Sequence, residues 1–517
     1  MTTRVPVLIS GGGIAGLTSA LLLHREGIQP VLVDKHAGAS PQPKARRFSP
    51  RSTEVFRLLG LAAEVAEASA PLASFTEVLT GPTLAAARAR EPSDTMRERR
   101  GQQARMPELS PGPNVLCPQA VLEPILRRAA GERGLSVRLG TELVSFAQDD
   151  GGVTALLKPA DGDPYELTAD YLIAADGARS PVRAALGIGC SGHGHLADNL
   201  DLYFRADLTA LARERPFNLC QIENPVASGA FLSVNGTDRW LFSTADFPEA
   251  GTLGDGDWHD LLRIVLGVPD LDVELLGRSS WESAMRVADR FRDGRVFLAG
   301  DAAHVMPPMA AAGANTAIAD AANLAWKLAA VLAGEAAPAL LDTYHAERHP
   351  AGYAVAEASS TVRGHVGEML SAYTKGDGLP GDPMATMFGT QYAEGAFVPD
   401  GRGPAPVDHY APAARPGTRV PHAWLDAQTS TVDLAGPGLT LVTGPDNGYW
   451  IAEADRLGLR LVTVSHQGWL TEACLGTDGA LLLRPDLIVG WHSASGTPLA
   501  DALTRVLGTT AALAQPE

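Results

Sequence analysis

Apolar and polar positions follow two different periods along this chain, and the switches between them mark its organisation. "VPVLIS" (5–10) is a short continuous apolar run closed by glycines, which predicts a buried strand. "LTSALLLHREG" (17–27) carries helical spacing and stops at Gly27, and "QPVLVDK" (29–35) reads as a second buried strand. A strand–helix–strand start predicts a parallel, doubly wound sheet. One long helix is predicted over 51–68, another over 119–133, strands within 135–158, and a strand, turn and short helix over 169–188. Between about 189 and 285 the period falls to two, as in "GAFLSVNGTDRWLFSTAD" (229–246), which predicts antiparallel hairpins. "VFLAGDAAHVMPPMAAAGANTAIADAANLAWKLAAVL" (296–332) then returns the chain to the parallel sheet. It holds a strand running into Gly300-Asp301, a double proline at Pro307-Pro308, a loop of small residues and a helix over Ala317–Leu332.

These patterns divide an α/β chain into a discontinuous parallel-sheet domain (1–188 and 286–376) and an antiparallel-sheet domain (189–285). A Gly/Pro-rich linker (377–414) and a small third domain (415–517), with strands at 438–444, 459–465 and 480–491, complete it. The polar, Arg- and Pro-rich stretch 81–114 reads as an excursion from the core sheet and a candidate lid.

Composition narrows the function. The chain has 517 residues, 45% hydrophobic and 20% charged, enough for two or three domains with large cores. A net charge of −17 argues against nucleic acid and anionic membrane surfaces as partners, since both need basic patches. Four separated cysteines (Cys117, Cys190, Cys220, Cys474) form no CxxC and no metal-ligand spacing, so buried free thiols in a reducing cytoplasm are expected, and no metal. No run approaches the roughly 20 apolar residues of a membrane span, and the short N-terminal apolar run reads as a strand, not a signal.

The chemistry gathers at three turns. Gly11, Gly13 and Gly16 in "GGGIAG" stand between the first strand and its helix. Gly11 permits a tight turn, Gly13 lets a pyrophosphate approach the backbone, and Gly16 allows close helix–strand packing. Asp34 ends the second strand, where a carboxylate would accept ribose hydroxyls. Asp176-Gly177 in "AADGARSPVR" and Gly300-Asp301 in "AGDAAH" each follow a strand. Either acid alone reads as a turn or helix cap. In this order, with the glycine turn, the three make a dinucleotide site.

With these motifs the chain, over roughly residues 1–370, resembles the flavin-dependent aromatic hydroxylases of the para-hydroxybenzoate hydroxylase fold. "RPGTRVPHAWL" (415–425), "STVDLAGPGLTLVTG" (430–444) and "GALLLRPDLIVGW" (479–491) resemble the thioredoxin-like third domain of the larger members, the polyketide-tailoring group among them. With a single cysteine there, Cys474, that domain has no dithiol chemistry. The resemblance implies a Rossmann-like FAD-binding domain, an antiparallel-sheet substrate domain and a C-terminal thioredoxin-like domain. Gly300-Asp301 would hold the FAD ribitol and pyrophosphate region, and Asp176 would serve FAD and nicotinamide contacts. Pro308 would lie against the flavin ring, with backbone amides of Gly313, Ala314 and Asn315 at its pyrimidine edge. Lys44 or Arg46 would pair with phosphate or approach the ring, and Gln119 matches a family glutamine that contacts FAD. Ile14, Ala15, Lys35 and Val144 complete the candidate cofactor-binding set. Where many relatives carry glycine, this chain has Ala310-Ala311, which implies a less freely rearranging loop.

The activity implied is monooxygenation: NADPH or NADH reduces FAD, dioxygen forms a flavin C4a-hydroperoxide, and one oxygen atom passes to a polycyclic aromatic substrate. Arg46 and Pro308 are the catalytic candidates, with Trp240, Arg239 and Met309 for substrate; His304 reads as structural, and no general base can be assigned. A cytoplasmic monomer or homodimer is expected. Baeyer–Villiger insertion or epoxidation, antibiotic-inactivating hydroxylation, and a non-catalytic FAD-fold binding protein are the alternatives.

Overall fold

The computed structural model describes residues 3–38, 43–90, 101, 104–212, 215–245, 255–362, 364, 366–375, 382–403 and 410–509. Among these, eight strands build the first sheet. Its main path runs Arg292–Asp293, Val296–Leu298, Tyr165–Ala174, Thr3–Ser10, Val31–Asp34, Ser136–Leu139. The four central neighbours pair in parallel, and the meander Thr141–Asp149 and Gly152–Pro159 adds antiparallel strands beside Tyr165–Ala174. Buried on both faces, the central strands are apolar throughout, with Leu8, Ile9, Leu32, Leu172 and Phe297 almost fully enclosed. The helices Ile14–Arg25, Gln119–Glu132 and Ala312–Leu332 supply the other side of that core.

The second sheet has seven strands, in the order His304–Val305, Glu274–Ala288, Cys190–Arg205, Arg239–Thr244, Gly229–Ser233, Phe217–Ile222, Glu77–Gly81. One face carries Leu202, Phe204, Phe231, Trp240 and Phe242 into a core covered by the helix Asp255–Leu266. The edge strand Glu77–Gly81 comes from outside the stretch predicted for this sheet, and it pairs in parallel with Phe217–Ile222. The predicted excursion at 81–114 is therefore partly structural, since Leu84–Arg88 packs its Leu84 and Ala87 into the same core. Residues 91–100 and 102–103 of the predicted lid lie outside the described residues.

Two helix expectations change. The pattern over 51–68 is two helices, Pro50–Leu58 and Ala62–Ser69. Gly60, at φ +72°, takes the left-handed conformation between them, and Leu61 N–H returns to the Phe56 carbonyl at 2.8 Å. The helix expected from Ala317 begins five residues earlier, at Ala312. Gly313 has low helix propensity, which hid that first turn from the sequence pattern.

The C-terminal unit has a four-stranded sheet in the order Arg460–Thr463, Thr440–Thr443, Ala480–Leu483, Val489–His492. The first pair is parallel and the others antiparallel, the order and senses of a thioredoxin-like sheet. Part of the stretch 377–414 packs firmly: Met384, Ala385 and Phe388 meet Met106, Leu109 and Tyr410, while Ala396 and Val398 join the core of the C-terminal sheet.

His422, buried beside this unit, has Nδ1 2.8 Å from Ser430 Oγ. Burial, aided by the nearby Arg419 cation, pulls its pKa down from 6.5 to about 4. Above pH 6.5 the ring is neutral in both folded and unfolded chains. Between 6.5 and 4 the unfolded chain takes up a proton that the folded ring refuses, so stability falls as pH falls through that window. The loss at the bottom of the window is roughly 3 kcal/mol. Melting temperatures measured from pH 7 to pH 4.5 should drop, and His422→Gln should flatten part of that drop.

Candidate functional site

The parallel strands of the first sheet end in step. Ser10 is in register with Val33 on one side and Ala174 on the other, and Ala174 with Leu298. Three further backbone bonds extend the alignment beyond the strands. Gly11 N–H donates to Val33 O at 2.8 Å, Ala175 N–H to Ser10 O at 2.8 Å, and Ala299 N–H to Ala174 O at 2.9 Å. The glycine turn, Asp34, Asp176 and Gly300-Asp301 thus share one rim at the carboxyl ends of the strands, where open α/β sheets bind ligands.

Within the rim, Gly11 and Gly16 are required by space. Gly11 has φ +111°, and a Cβ there would stand 2.2 Å from Ala175 O. A Cβ on Gly16 would stand 1.9 Å from Gly11 O, so helix and turn touch backbone to backbone. Gly13 caps the helix Ile14–Arg25, whose first-turn amides, Ile14, Ala15 and Gly16 among them, have no partner within the helix. Asp34 is tied by both oxygens: Oδ2 accepts Gly12 N–H at 2.5 Å and Oδ1 accepts His36 N–H at 2.7 Å. Lys35, next in sequence, is exposed, as is Lys44, whose charge lies near Asp301.

The acids of the other two turns face the rim differently. Asp176 Oδ2 accepts Val182 N–H at 3.1 Å, while Oδ1 is buried without a partner. Burial raises its pKa against the pull of Ser180 and Val182. Asp301 is open to solvent at its turn, with protein dense around it. Burial raises its pKa too, with the charges of His304 and Lys44 opposing. An unpaired buried acceptor, a backbone cradle without room for a Cβ, and free helix-start amides together fit a dinucleotide cofactor such as FAD.

Gln119 joins this group through a residue that the sequence reading missed. Its side-chain amide donates to Glu123 Oε1 at 2.7 Å, and Glu123 is buried next to Gly13. The four-residue spacing of Gln119 and Glu123 on one helix was the available signal. Asp320, also missed, holds the Gly300 turn from the neighbouring helix.

The small-residue loop shows a strained backbone. Pro308 is exposed and opens a short turn, Met309–Ala311, and Met309 is buried. Ala311 sits at φ +55°, a left-handed conformation that costs an alanine about 1–2 kcal/mol. Gly313, Ala314 and Asn315 are not in a loop; they lie in the first helical turn, where backbone N–H groups remain free. The Asn315 side chain is committed to structure: Oδ1 accepts from Ser49 N (2.8 Å) and Ser52 Oγ (2.6 Å), and Nδ2 donates to Ala311 O (2.7 Å).

Arg46 crosses to the second sheet. Its Nη1 donates to Ser233 O at 2.9 Å, and its Nη2 donates to the backbone carbonyl of Asn218 and, at 2.6 Å, to Asn218 Oδ1. Among the described residues no carboxylate pairs with it, and burial, reinforced by Arg47, lowers its pKa to about 9. Arg239 lies on the sheet face opposite the apolar core and donates to Tyr203 Oη at 3.2 Å. Trp240 is corrected. It is wholly buried in that core, stacked on Phe217, with Nε1 bonded to Ala206 O, so it cannot wall an open site. Val144 is half-exposed at an irregularity in the Thr141–Asp149 strand. His304 is buried against Asp320, a structural position. No cluster of metal-ligating side chains occurs among the described residues.

Comparison with known proteins agrees with this geometry. A model of an FAD binding domain matches residues 4–359, and one of the aromatic-ring hydroxylase C-terminal domain matches residues 413–510. The tetracenomycin A2 monooxygenase-dioxygenase of Streptomyces glaucescens is 39% identical, across 98% of this chain and 98% of its own. The flavin-dependent monooxygenase PieE, solved with FAD and substrate, superposes with a TM-score of 0.88 at 32% identity, covering 98% of this chain and 99% of that one. Aklavinone-11 hydroxylase, solved with FAD and aklavinone, gives a TM-score of 0.84 at 32% identity, covering 98% and 100%. The chain therefore belongs to the FAD-dependent aromatic-ring hydroxylases and is a flavin monooxygenase.

Proposed function

We propose that this enzyme uses NADPH or NADH and dioxygen to hydroxylate a polycyclic aromatic substrate of the polyketide type. The observation that carries the reading is the common register that brings Gly11, Asp34, Asp176 and Asp301 to one rim. Support for the substrate class comes from relatives whose names specify tetracenomycin A2 and aklavinone. Bound FAD supplies a two-electron carrier that, once reduced, activates dioxygen for transfer of one oxygen atom to an electron-rich ring.

The chain's own residues bind and orient. The amides after Gly13 receive the pyrophosphate, with Lys44 adding charge, and Asp34 accepts the ribose hydroxyls. Asp301 and Asp176 hold the middle of the cofactor, and Gln119 flanks it. The first-turn amides at Gly313, Ala314 and Asn315 favour negative charge on the ring's pyrimidine edge. Pro308 and Met309 supply apolar surface that keeps water from the reacting face. Arg46, a half-buried cation without a carboxylate among the described residues, favours the deprotonated form of a substrate phenol; Arg239 offers a second cation on the sheet face opposite the core. We assign residues 1–188 and 286–376 to cofactor binding, 189–285 to substrate, 377–414 to the connection and 415–517 to the thioredoxin-like unit. The cytoplasm, which supplies reduced nicotinamide, is the compartment this reading requires.

Gly16→Ala should weaken FAD uptake by the apoprotein about tenfold or more, roughly 1.4 kcal/mol, read by quenching of flavin fluorescence. The function itself is tested with FAD-loaded protein, NADPH and air, with and without a panel of tetracyclic phenols. Stimulated NADPH oxidation with oxygen from dioxygen in the product is expected. Flavin that NADPH cannot reduce, or stimulation with no oxygenated product from any phenol, would count against it.

A further inference from the structure

Asp320 lies inside the helix Ala312–Leu332 with its side chain wholly enclosed. One oxygen, Oδ2, accepts Gly300 N–H at 3.1 Å and lies 2.6 Å from His304 Nε2. The other, Oδ1, accepts Arg348 Nε at 2.8 Å. A single carboxylate thus grips both ends of the five-residue turn that presents Asp301. The turn has no slack on its other side, because a Cβ on Gly300 would meet Ala15 Cβ at 3.0 Å and Ala317 Cβ at 3.2 Å. Burial alone would push Asp320 toward its neutral form, but the His304 and Arg348 charges outweigh it and hold the pKa below its ordinary value. The Gly300 amide therefore donates to a charged acceptor, a stronger bond than one to a neutral group.

The residue before Arg348 continues the chain of contacts outward. Glu347 Oε2 accepts from Lys327 Nζ at 2.9 Å, Asn323 Nδ2 at 2.5 Å and Arg484 Nη2 at 2.7 Å. Its Oε1 accepts from Arg484 Nη1 at 2.8 Å and Ala396 N–H at 2.7 Å. Arg484 follows the Ala480–Leu483 strand of the C-terminal sheet, is fully buried, and also pairs with Asp486. Consecutive residues of one helix, Glu347 and Arg348, therefore face the C-terminal unit and the Gly300 turn respectively. Tyr392 adds a second link, because its hydroxyl accepts from Arg348 Nη1 at 3.3 Å and the Arg484 guanidinium lies 5.9 Å from its ring centre. Buried ionic networks are seldom the most stable filling of a core, yet each partner left alone is strongly disfavoured, so they select one arrangement.

We propose that Asp320 is a positioning residue for the Gly300–Asp301 cofactor turn, and that the C-terminal unit holds it in place through Arg484, Glu347 and Arg348. The proposal rests on the reading of this turn as part of the FAD site. It gives a unit without a dithiol a defined role, in which a region outside the rim retains the flavin-proximal part of the cofactor.

The test separates the two halves of the cofactor site in the full-length protein, stripped of flavin. ADP lacks the ribitol and ring that the Gly300–Asp301 turn would serve, so FAD depends on that turn more than ADP does. Asp320→Asn should raise the FAD dissociation constant about tenfold or more and leave that of ADP within about twofold. Arg484→Gln should show the same split in smaller measure. Parallel weakening of both ligands by Asp320→Asn, or no change in either, would overturn the proposal. If Asp320→Asn lacks a cooperative melting transition, Arg348→Lys, which keeps the cation but loses the Nε contact, takes its place with the same expected split and the same overturning results. Wild-type protein that takes up ADP but not FAD would remove the cofactor reading and this proposal together, a failure visible without any substitution.

Discussion

Everything at this site depends on parallel strands that finish at the same level. Because Ser10, Val33, Ala174 and Leu298 share one register, turns drawn from positions 11, 34, 176 and 300 become neighbours, although nearly three hundred residues separate the first from the last. Parallel pairing requires a crossover between each pair of strands, and those crossovers are long here. The hydrogen bonds that Gly11, Ala175 and Ala299 make just beyond the strands carry the alignment into the turns themselves. Both faces of these strands are packed, so a slip of one residue would drive every side chain into space shaped for another, and core packing also fixes the position of each rim residue.

Around that rim the chain uses its backbone more than its side chains. Glycine is needed at 11 and 16 because backbone occupies the space where a Cβ would stand. The helix starts at Ile14 and Ala312 leave amides free. Charged groups near the rim are held by other protein groups before any ligand arrives, as Asp34 is by two amides and Arg46 by two carbonyls and an amide oxygen. Such prior commitment reduces the ordering that binding would otherwise require. The left-handed Ala311 runs the other way, placing strain where the prolines meet the helix.

Much of this was legible in the residues. The alternation of periods separated the parallel from the antiparallel sheet, and the three glycine- or acid-bearing turns marked the rim where the parallel strands end. What periodicity could not supply was the partner of each side chain. Trp240 and Arg239 are adjacent in sequence, yet a strand sends them to opposite faces, one into the core and one away from it. Nothing local told which face was which. The true start of the helix at Ala312 was hidden by a glycine, and the break at Gly60 by apolar residues that recur on both sides of it.

Residue type and near spacing were enough to dictate the βαβ beginning, the order of the motifs and the absence of a dithiol in the C-terminal unit. Only the folded chain tied Arg46 to the carbonyls of the second sheet, set Asp320 against the Gly300 turn, and let Arg484 reach that turn through Glu347 and Arg348. Those contacts join residues 20 to 187 positions apart. They exist because sheets and helices from separate stretches bury their apolar faces together, and polar groups enclosed in that process must find partners within the fold.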